Sequence, residues 1–167
     1  MPDTIQKIAL DLAKDPEVAF YDALSLINSD GIRLTKDDVT ISDVVPDASR
    51  EGANTRVTMT PVPTSKKIMG SALDRWYWRW DMAEVMASMG YHDNKIFYTG
   101  LPADWAEPGT HAKAVDMVNL TLGTTLRTDY TSWTELSRTA DEVVGVLAIN
   151  DGVLTIFGEI EITVDML

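Results

Sequence analysis

The sequence predicts an α+β protein of two related small lobes, each combining a helix with antiparallel strands and packed with the other as one compact unit. Three observations carry this prediction: a repeated spacing of helical and turn residues, short segments that alternate apolar and polar residues, and an Asp-Gly pair between two apolar runs. We expect a first lobe over residues 1–90 and a second, shorter lobe over 110–167. Residues 91–109 are rich in turn formers and predict a connecting segment.

The repeat is defined by spacing. The two copies are Ala23–Asn28 with Gly31, Leu34, Asp37 and Thr40, and Ala114–Asn119 with Gly123, Leu126 and Asp129. In both, an apolar helical stripe ends at an asparagine, a glycine follows within four residues, and a leucine and an aspartate lie three and six residues after the glycine. Because a repeated unit is normally a repeated piece of architecture, each copy predicts a helix, a glycine-containing bend and a strand.

Two helices are predicted at the start of the first lobe. Asp3 or Thr4 can cap a short first helix. Pro16 fits the first turn of a second helix, where its missing N–H is not needed, and apolar residues recur at helical spacing as far as Ile27. Gly31 can then adopt the left-handed conformation that ends helices.

Alternation of apolar and polar residues predicts the strands of the first lobe. Residues 39–42 and 56–60 alternate over a few positions each, and the polar residues 47–54 between them indicate an exposed loop. The stretch 74–80 alternates throughout. It leads into a capping-box-like helix start at Asp81.

The second lobe is predicted to contain a helix and a pair of strands. Thr110 can cap the helix, whose apolar face extends to Leu122. After the second copy of the repeat, residues 143–149 and 153–164 flank an Asp-Gly pair, which is typical of a β-hairpin. Isoleucine and valine alternate with glutamate and threonine near the end of the chain, which predicts a half-exposed last strand.

The stretch 74–80 also contains three of the five tryptophans. In a continuous strand one face carries Trp76, Trp78 and Trp80 and the other carries Arg75, Tyr77 and Arg79. We expect the tryptophans to be core residues, with stacking on a ligand as the alternative. We expect the opposite face to be an open interface, because Tyr and Arg are enriched at protein interfaces, and Glu159 and Glu161 are further interface candidates.

Composition limits the function classes. The formal charge of −12 makes binding to nucleic acid an unexpected function, because phosphate backbones favour clustered Lys and Arg. We expect no membrane association, since no run of about eighteen apolar residues occurs and the first residues lack the features of a signal peptide. The absence of cysteine excludes disulfides and thiolate catalysis.

No nucleophile elbow, phosphate loop, dinucleotide fingerprint or histidine metal motif is present, so we expect no enzyme, catalytic residue, metal or cofactor.

Four segments together resemble a known class of proteins. They are ALSLIN, GIRLTKDDVTI, TRVTMTPVP and GSALDRWYWRWDMAEVMAS. They are similar to the repeated modules of tailed-bacteriophage virion proteins, in which Leu-x-x-Ile-Asn precedes Gly-x-x-Leu-x-x-x-Asp-Val-Thr. The resemblance covers residues 18–89 and again, less closely, 111–165, where Tyr130-Thr131 replaces Asp38-Val39. It implies a structural virion protein, made in the host cytoplasm, that contacts copies of itself and other virion proteins.

Two functions are compatible with these observations. The first is a component of the tail, neck, baseplate or capsid surface of a phage particle, which assembles as a homo-oligomer or symmetric array. Such a protein can use an edge strand, for which residues 159–164 are the candidate, to extend a neighbour's sheet. The alternative is a carbohydrate- or receptor-binding module that uses exposed tryptophans of the 74–80 strand.

Overall fold

The computed structural model describes residues 10–27 and 31–167, and it confirms the α+β class. The helices of the described residues are α1 (Pro16–Ile27), α2 (Met82–Ser88) and α3 (Thr110–Leu122), with short 3₁₀ turns at Pro102–Trp105 and Thr128–Tyr130. The strands are β1 (Val39–Pro46), β2 (Thr55–Pro61), β3 (Leu73–Tyr77), β4 (Trp80–Asp81), β5 (Lys95–Gly100), β6 (Thr131–Arg138), β7 (Glu142–Ile149), β8 (Ile156–Phe157) and β9 (Glu159–Met166). None of the helices in the described ranges has both the length and the apolar character needed to cross a membrane.

The chain forms two compact units whose boundaries differ from the expected lobes. The first unit comprises the described residues up to Arg79 together with Asp151–Thr155, and the rest of the chain forms the second. The boundary therefore lies before α2 and not at residue 90. Residues 91–109 are part of the second unit and contain β5, so they are not a simple connection.

The first unit contains an antiparallel sheet in the order β1-β2-β3, with α1 against one face. The helix begins at Pro16, as predicted. The Tyr21 hydroxyl of α1 donates to the Val39 carbonyl at 2.6 Å, and the Phe20 ring meets the Tyr77 ring edge-on at 5.0 Å. Val57 of β2 is fully buried beneath them, so this sheet face and α1 form the core of the unit.

The second unit contains a four-stranded mixed sheet in the order β5-β9-β7-β6 and a short parallel pair of β4 with β8. Helix α3 lies against one face of the larger sheet, where the Tyr98 hydroxyl donates to the Met117 carbonyl. The side chains of β9 that point to this face are completely buried: Ile160, Ile162 and Val164. The predicted alternation along the last strand is thus confirmed.

Strand β9 is nevertheless not an edge. It pairs in parallel with β5 on one side and antiparallel with β7 on the other. The expectation that residues 159–164 extend a neighbour's sheet is wrong, because both sets of backbone groups already pair within the unit. The antiparallel pairing of β7 with β9 is confirmed, but residues 150–158 form a long connection that includes β8 and not a two-residue turn.

The predicted repeat is present in the backbone of both units. Gly31 and Gly123 adopt left-handed conformations with φ of 68° and 66°, and the leucine three residues after each glycine is buried. Eight residues after each glycine begins a strand of eight residues, β1 or β6. Each of these strands has one irregularity in its pairing with the next strand. A helix, a left-handed glycine and a bulged strand therefore recur in order.

Three smaller predictions have different outcomes. Asp81 caps α2, with its carboxylate accepting from the Ala83 amide at 2.9 Å, as predicted. Thr110 does not cap α3: Gly109 occupies that position, and the Thr110 hydroxyl donates to the Trp105 carbonyl. The first part of the helix expected after Thr4 lies outside the described residues, and residues 10–15, which are described, contain a turn and no helix.

Candidate interaction face of the four-stranded sheet

The face of the four-stranded sheet opposite to α3 is uncovered within the second unit. We call this surface the acidic sheet face and define it by the side chains that alternate with the buried ones. They are Lys95, Phe97 and Thr99 of β5, Glu159, Glu161, Thr163 and Asp165 of β9, Glu142, Val144, Val146 and Ala148 of β7, and Ser132 and Thr134 of β6. Every one of them is exposed or half-buried.

Apolar side chains form part of the acidic sheet face. Phe97 is 69% exposed and lies midway along β5, which is an edge strand of the sheet. Its cross-strand neighbour is Thr163, which in turn pairs with Val144, and Val146 follows in the next row. Single exposed apolar residues are common on protein surfaces, so Phe97 alone does not mark a site. An aromatic side chain that shares an open sheet face with half-buried aliphatic ones is a candidate for one.

Carboxylates lie in the two cross-strand rows next to that of Phe97. Glu142 and Asp165 lie directly opposite each other on β7 and β9, an arrangement of like charges that destabilises an isolated sheet. Among the described residues neither has a Lys or Arg partner. Glu161 does have one, since the Lys95 ammonium lies 2.8 Å from its carboxylate and this hydrogen bond raises the pKa of Lys95. The carboxylates of Glu142 and Asp165 therefore retain uncompensated negative charge.

The charge of the second unit reinforces this local pattern. Within it, thirteen aspartates and glutamates outnumber four lysines and arginines, so most of the net charge of −12 belongs to this unit. Such a field attracts basic surfaces and repels acidic ones.

The interface predicted on the 74–80 stretch is corrected by the structure. Strand β3 ends at Tyr77, and Tyr77 is 1% exposed. Its hydroxyl donates to the Leu154 carbonyl at 2.7 Å, and burial raises its pKa above the ordinary range. Arg75, two residues earlier in the strand, lies on the same sheet face and is half-buried.

Arg79 is likewise an internal residue, with only 3% of its surface exposed. One guanidinium nitrogen donates to the carbonyls of Asp151 and Val153, each at 2.9 Å. The Asn54 side chain bonds both the amide and the carbonyl of Arg79, which fixes the backbone just after β3. Burial lowers the pKa of Arg79. This arginine therefore holds residues 151–155 within the first unit and cannot meet a partner protein.

The tryptophans do not share one strand face either. Trp76 lies on the face of the three-stranded sheet opposite to α1, where its indole N–H donates to Asp47 at 3.0 Å and the Arg50 guanidinium covers its ring at 4.2 Å. Trp78 and Trp80 follow the end of β3. All three are half-buried, so they form neither a buried core nor an open stacking platform.

Of the predicted interface residues, Glu159 and Glu161 do lie on the acidic sheet face. Phe97, Val144 and Val146 were not predicted as site residues. A signal for a strand was present, since Ile96, Phe97 and Tyr98 are β-branched or aromatic residues in succession. Neighbouring glycine and proline residues obscured that signal and favoured a connecting segment.

Within the described residues, no group of three or more His, Asp or Glu side chains is placed to hold a metal ion. The candidate site in the described part of the chain is the acidic sheet face, which combines exposed and half-buried apolar side chains with carboxylates. Comparison of the chain with models of protein families, with curated proteins and with solved structures finds no match in any of the three.

Proposed function

We propose that this protein is a structural component of a tailed-phage particle and that it works by protein–protein assembly. The observation that carries the proposal is the acidic sheet face, an open surface with the exposed Phe97 on its edge strand and carboxylates in the cross-strand rows on either side. The duplicated helix, left-handed glycine and bulged strand support it, because they are the parts of the chain that resemble the repeated modules of virion proteins.

The composition of this face fits an interface for a physical reason. Protein interfaces commonly combine a desolvated apolar centre, often aromatic, with a polar rim. Full burial of a phenylalanine side chain contributes roughly 1.5–3 kcal/mol. The opposed carboxylates of Glu142 and Asp165 lose their mutual repulsion when a basic surface covers them. The exposed phenylalanine and the two repelling carboxylates do not stabilise the isolated chain. Covering them with a partner lowers the free energy of the complex.

Carbohydrate binding through tryptophans is less well supported. A sugar that stacks on Trp76 must first displace the Arg50 guanidinium, and the indole N–H is already bonded to Asp47. Trp78 and Trp80 are half-buried beyond the end of β3. No second tryptophan therefore extends a flat surface beside Trp76 on that strand.

Quantitative mass spectrometry of gradient-purified particles, from a phage that encodes this chain, tests the proposal. We expect the chain to co-purify with intact particles at a constant ratio to the capsid protein. A chain that is abundant in the infected cell but absent from purified particles would contradict the proposed function.

A further inference from the structure

A second exposed apolar feature lies in the first unit. The loop between β2 and β3, residues 62–72, carries Met69, whose side chain is 90% exposed, and the exposed Lys66. No acidic residue occurs between Glu51 and Asp74, although the chain as a whole is strongly acidic. We call this segment the basic loop. Its lysines are opposite in charge to the carboxylates of the acidic sheet face. Its exposed Met69 is apolar, like Phe97 on that face.

The start of the basic loop is held in place by Asp38. The Asp38 carboxylate accepts hydrogen bonds from the Ser65 hydroxyl at 3.0 Å, from the Lys67 ammonium at 2.9 Å and from both the amide and the hydroxyl of Thr35. The Asp38 carbonyl also accepts from the Val62 amide at 2.9 Å. These bonds fix residues 62–67 while Lys66 and Met69 stay exposed, and such preorganisation reduces the entropy lost on binding.

We propose that the basic loop of one copy docks on the acidic sheet face of a second copy. The proposal rests on the proposed function and names its contact. Met69 packs on Phe97, a pairing favoured by the contact of sulfur with an aromatic ring, and Lys66 approaches the carboxylates of Glu142 and Asp165. Two acidic sheet faces, by contrast, repel each other when they meet.

This contact joins two different surfaces, so each copy can bind one neighbour with its loop and another with its sheet. Head-to-tail contacts of this kind produce rings when they close and filaments when they do not. The expected behaviour in solution is growth of mass with protein concentration. Raising the salt to about 1 M shortens the screening length to about 3 Å and shifts the mass back towards the monomer.

Two variants of the full chain separate the surfaces. The loop variant combines Lys66→Glu with Met69→Ser, and the face variant is Phe97→Ser, with Thr163→Lys as a second face variant should Phe97→Ser unfold. Lys66, Met69 and Phe97 are all exposed, so we expect the loop variant and Phe97→Ser to fold like the wild type. Circular dichroism verifies the fold. The matched control combines Lys36→Glu with Leu26→Ser, which changes charge and exposed apolar surface to the same extent elsewhere in the first unit.

Sedimentation velocity is measured on each variant alone and on an equal mixture. We expect each variant alone to be monomeric, with a dissociation constant raised roughly 30-fold or more, as for the loss of a central interface residue. The mixture is expected to form a dimer and nothing larger, because only one competent loop can meet one competent sheet. The control variant assembles like the wild type.

The proposal is overturned if the wild type stays monomeric throughout the concentration series, if the loop variant assembles like the wild type, or if the mixture forms no dimer. None of these results touches the proposed function, because a chain that is monomeric alone can still enter particles through other proteins. Particle mass spectrometry decides that separate question.

Discussion

At the scale of single residues, Asp38 has a role that its place in the sequence does not reveal. In the sequence it is the second of two adjacent aspartates directly before β1. In the structure it is buried, whereas Asp37 is exposed, and it binds Ser65 and Lys67 from across the unit. These partners lie 27 and 29 positions away in the chain, so local spacing carried no signal for them.

The ionised form of Asp38 is expected to stabilise the fold in a defined pH range. Its hydrogen bond from Lys67, followed by those from Ser65 and Thr35, lowers the pKa of Asp38 from 3.8 to about 2. A carboxyl whose pKa is depressed by folding stabilises the native state above its unfolded pKa, and that contribution is lost as the pH falls through the folded pKa. Asp38→Asn should therefore lower the melting temperature at neutral pH by a few degrees, and the difference should disappear near pH 2.

Thermal unfolding between neutral pH and pH 2 measures this effect. Asp37→Asn is the matched control, since it removes the neighbouring carboxyl in an exposed position. A melting-temperature difference between Asp38→Asn and the wild type that persists unchanged at pH 2 would show that the charge of Asp38 is not the cause.

Tyr77 and Arg79 belong to the same scale. Their residue types are common at interfaces, but both bind carbonyls of residues 151–155 and are buried. Residue type therefore favoured an open interface here, and that expectation was wrong. Location depends on a segment more than 70 positions away.

At the scale of elements, alternation and helical periodicity predicted α1, β1, β2 and α3 well because those segments match their periods clearly. The stretch 74–80 also alternates, yet β3 ends at Tyr77. Tertiary hydrogen bonds to Arg79 override the local pattern there. Strand β6 was expected only as the strand that follows the second copy of the repeat. Its bounds were not predicted, because its alternation is weak and most of its side chains are exposed.

Strand β7 contains a glycine within a run of apolar residues, and its neighbour explains the glycine. A Cβ atom added to Gly145 would lie 2.2 Å from the Trp133 ring of β6. Gly145→Ala is expected to destabilise the protein by about 1–3 kcal/mol, because the bulky indole cannot move without repacking the sheet. Urea unfolding monitored by fluorescence measures the change in the free energy of unfolding.

Gly152→Ala provides the comparison for this substitution. Nothing lies within 4 Å of a Cβ atom at Gly152, so this change should leave the free energy of unfolding nearly unaltered. Equal effects of the two substitutions would indicate that chain entropy, and not the contact with Trp133, governs the response.

At the scale of the whole molecule, the repeat and the acidic charge are the two properties that the sequence predicted most directly. The repeat is confirmed as two helix-glycine-strand units. The uneven distribution of charge was not predictable, because the second unit includes residues 80–109 and excludes 151–155. Composition alone gives no sign that residues 151–155 belong to the first unit.

Incorporation of Phe97→Asp into phage particles tests whether the acidic sheet face serves in assembly. Leu120→Asp on α3 is the matched control, since it places the same charge at another highly exposed apolar position of the second unit. We predict that Phe97→Asp lowers the number of copies per purified particle by about tenfold or more, as expected for a loss of at least 1.4 kcal/mol of binding free energy, while Leu120→Asp incorporates normally. Equal incorporation of both folded variants and the wild type would contradict an assembly role for the acidic sheet face.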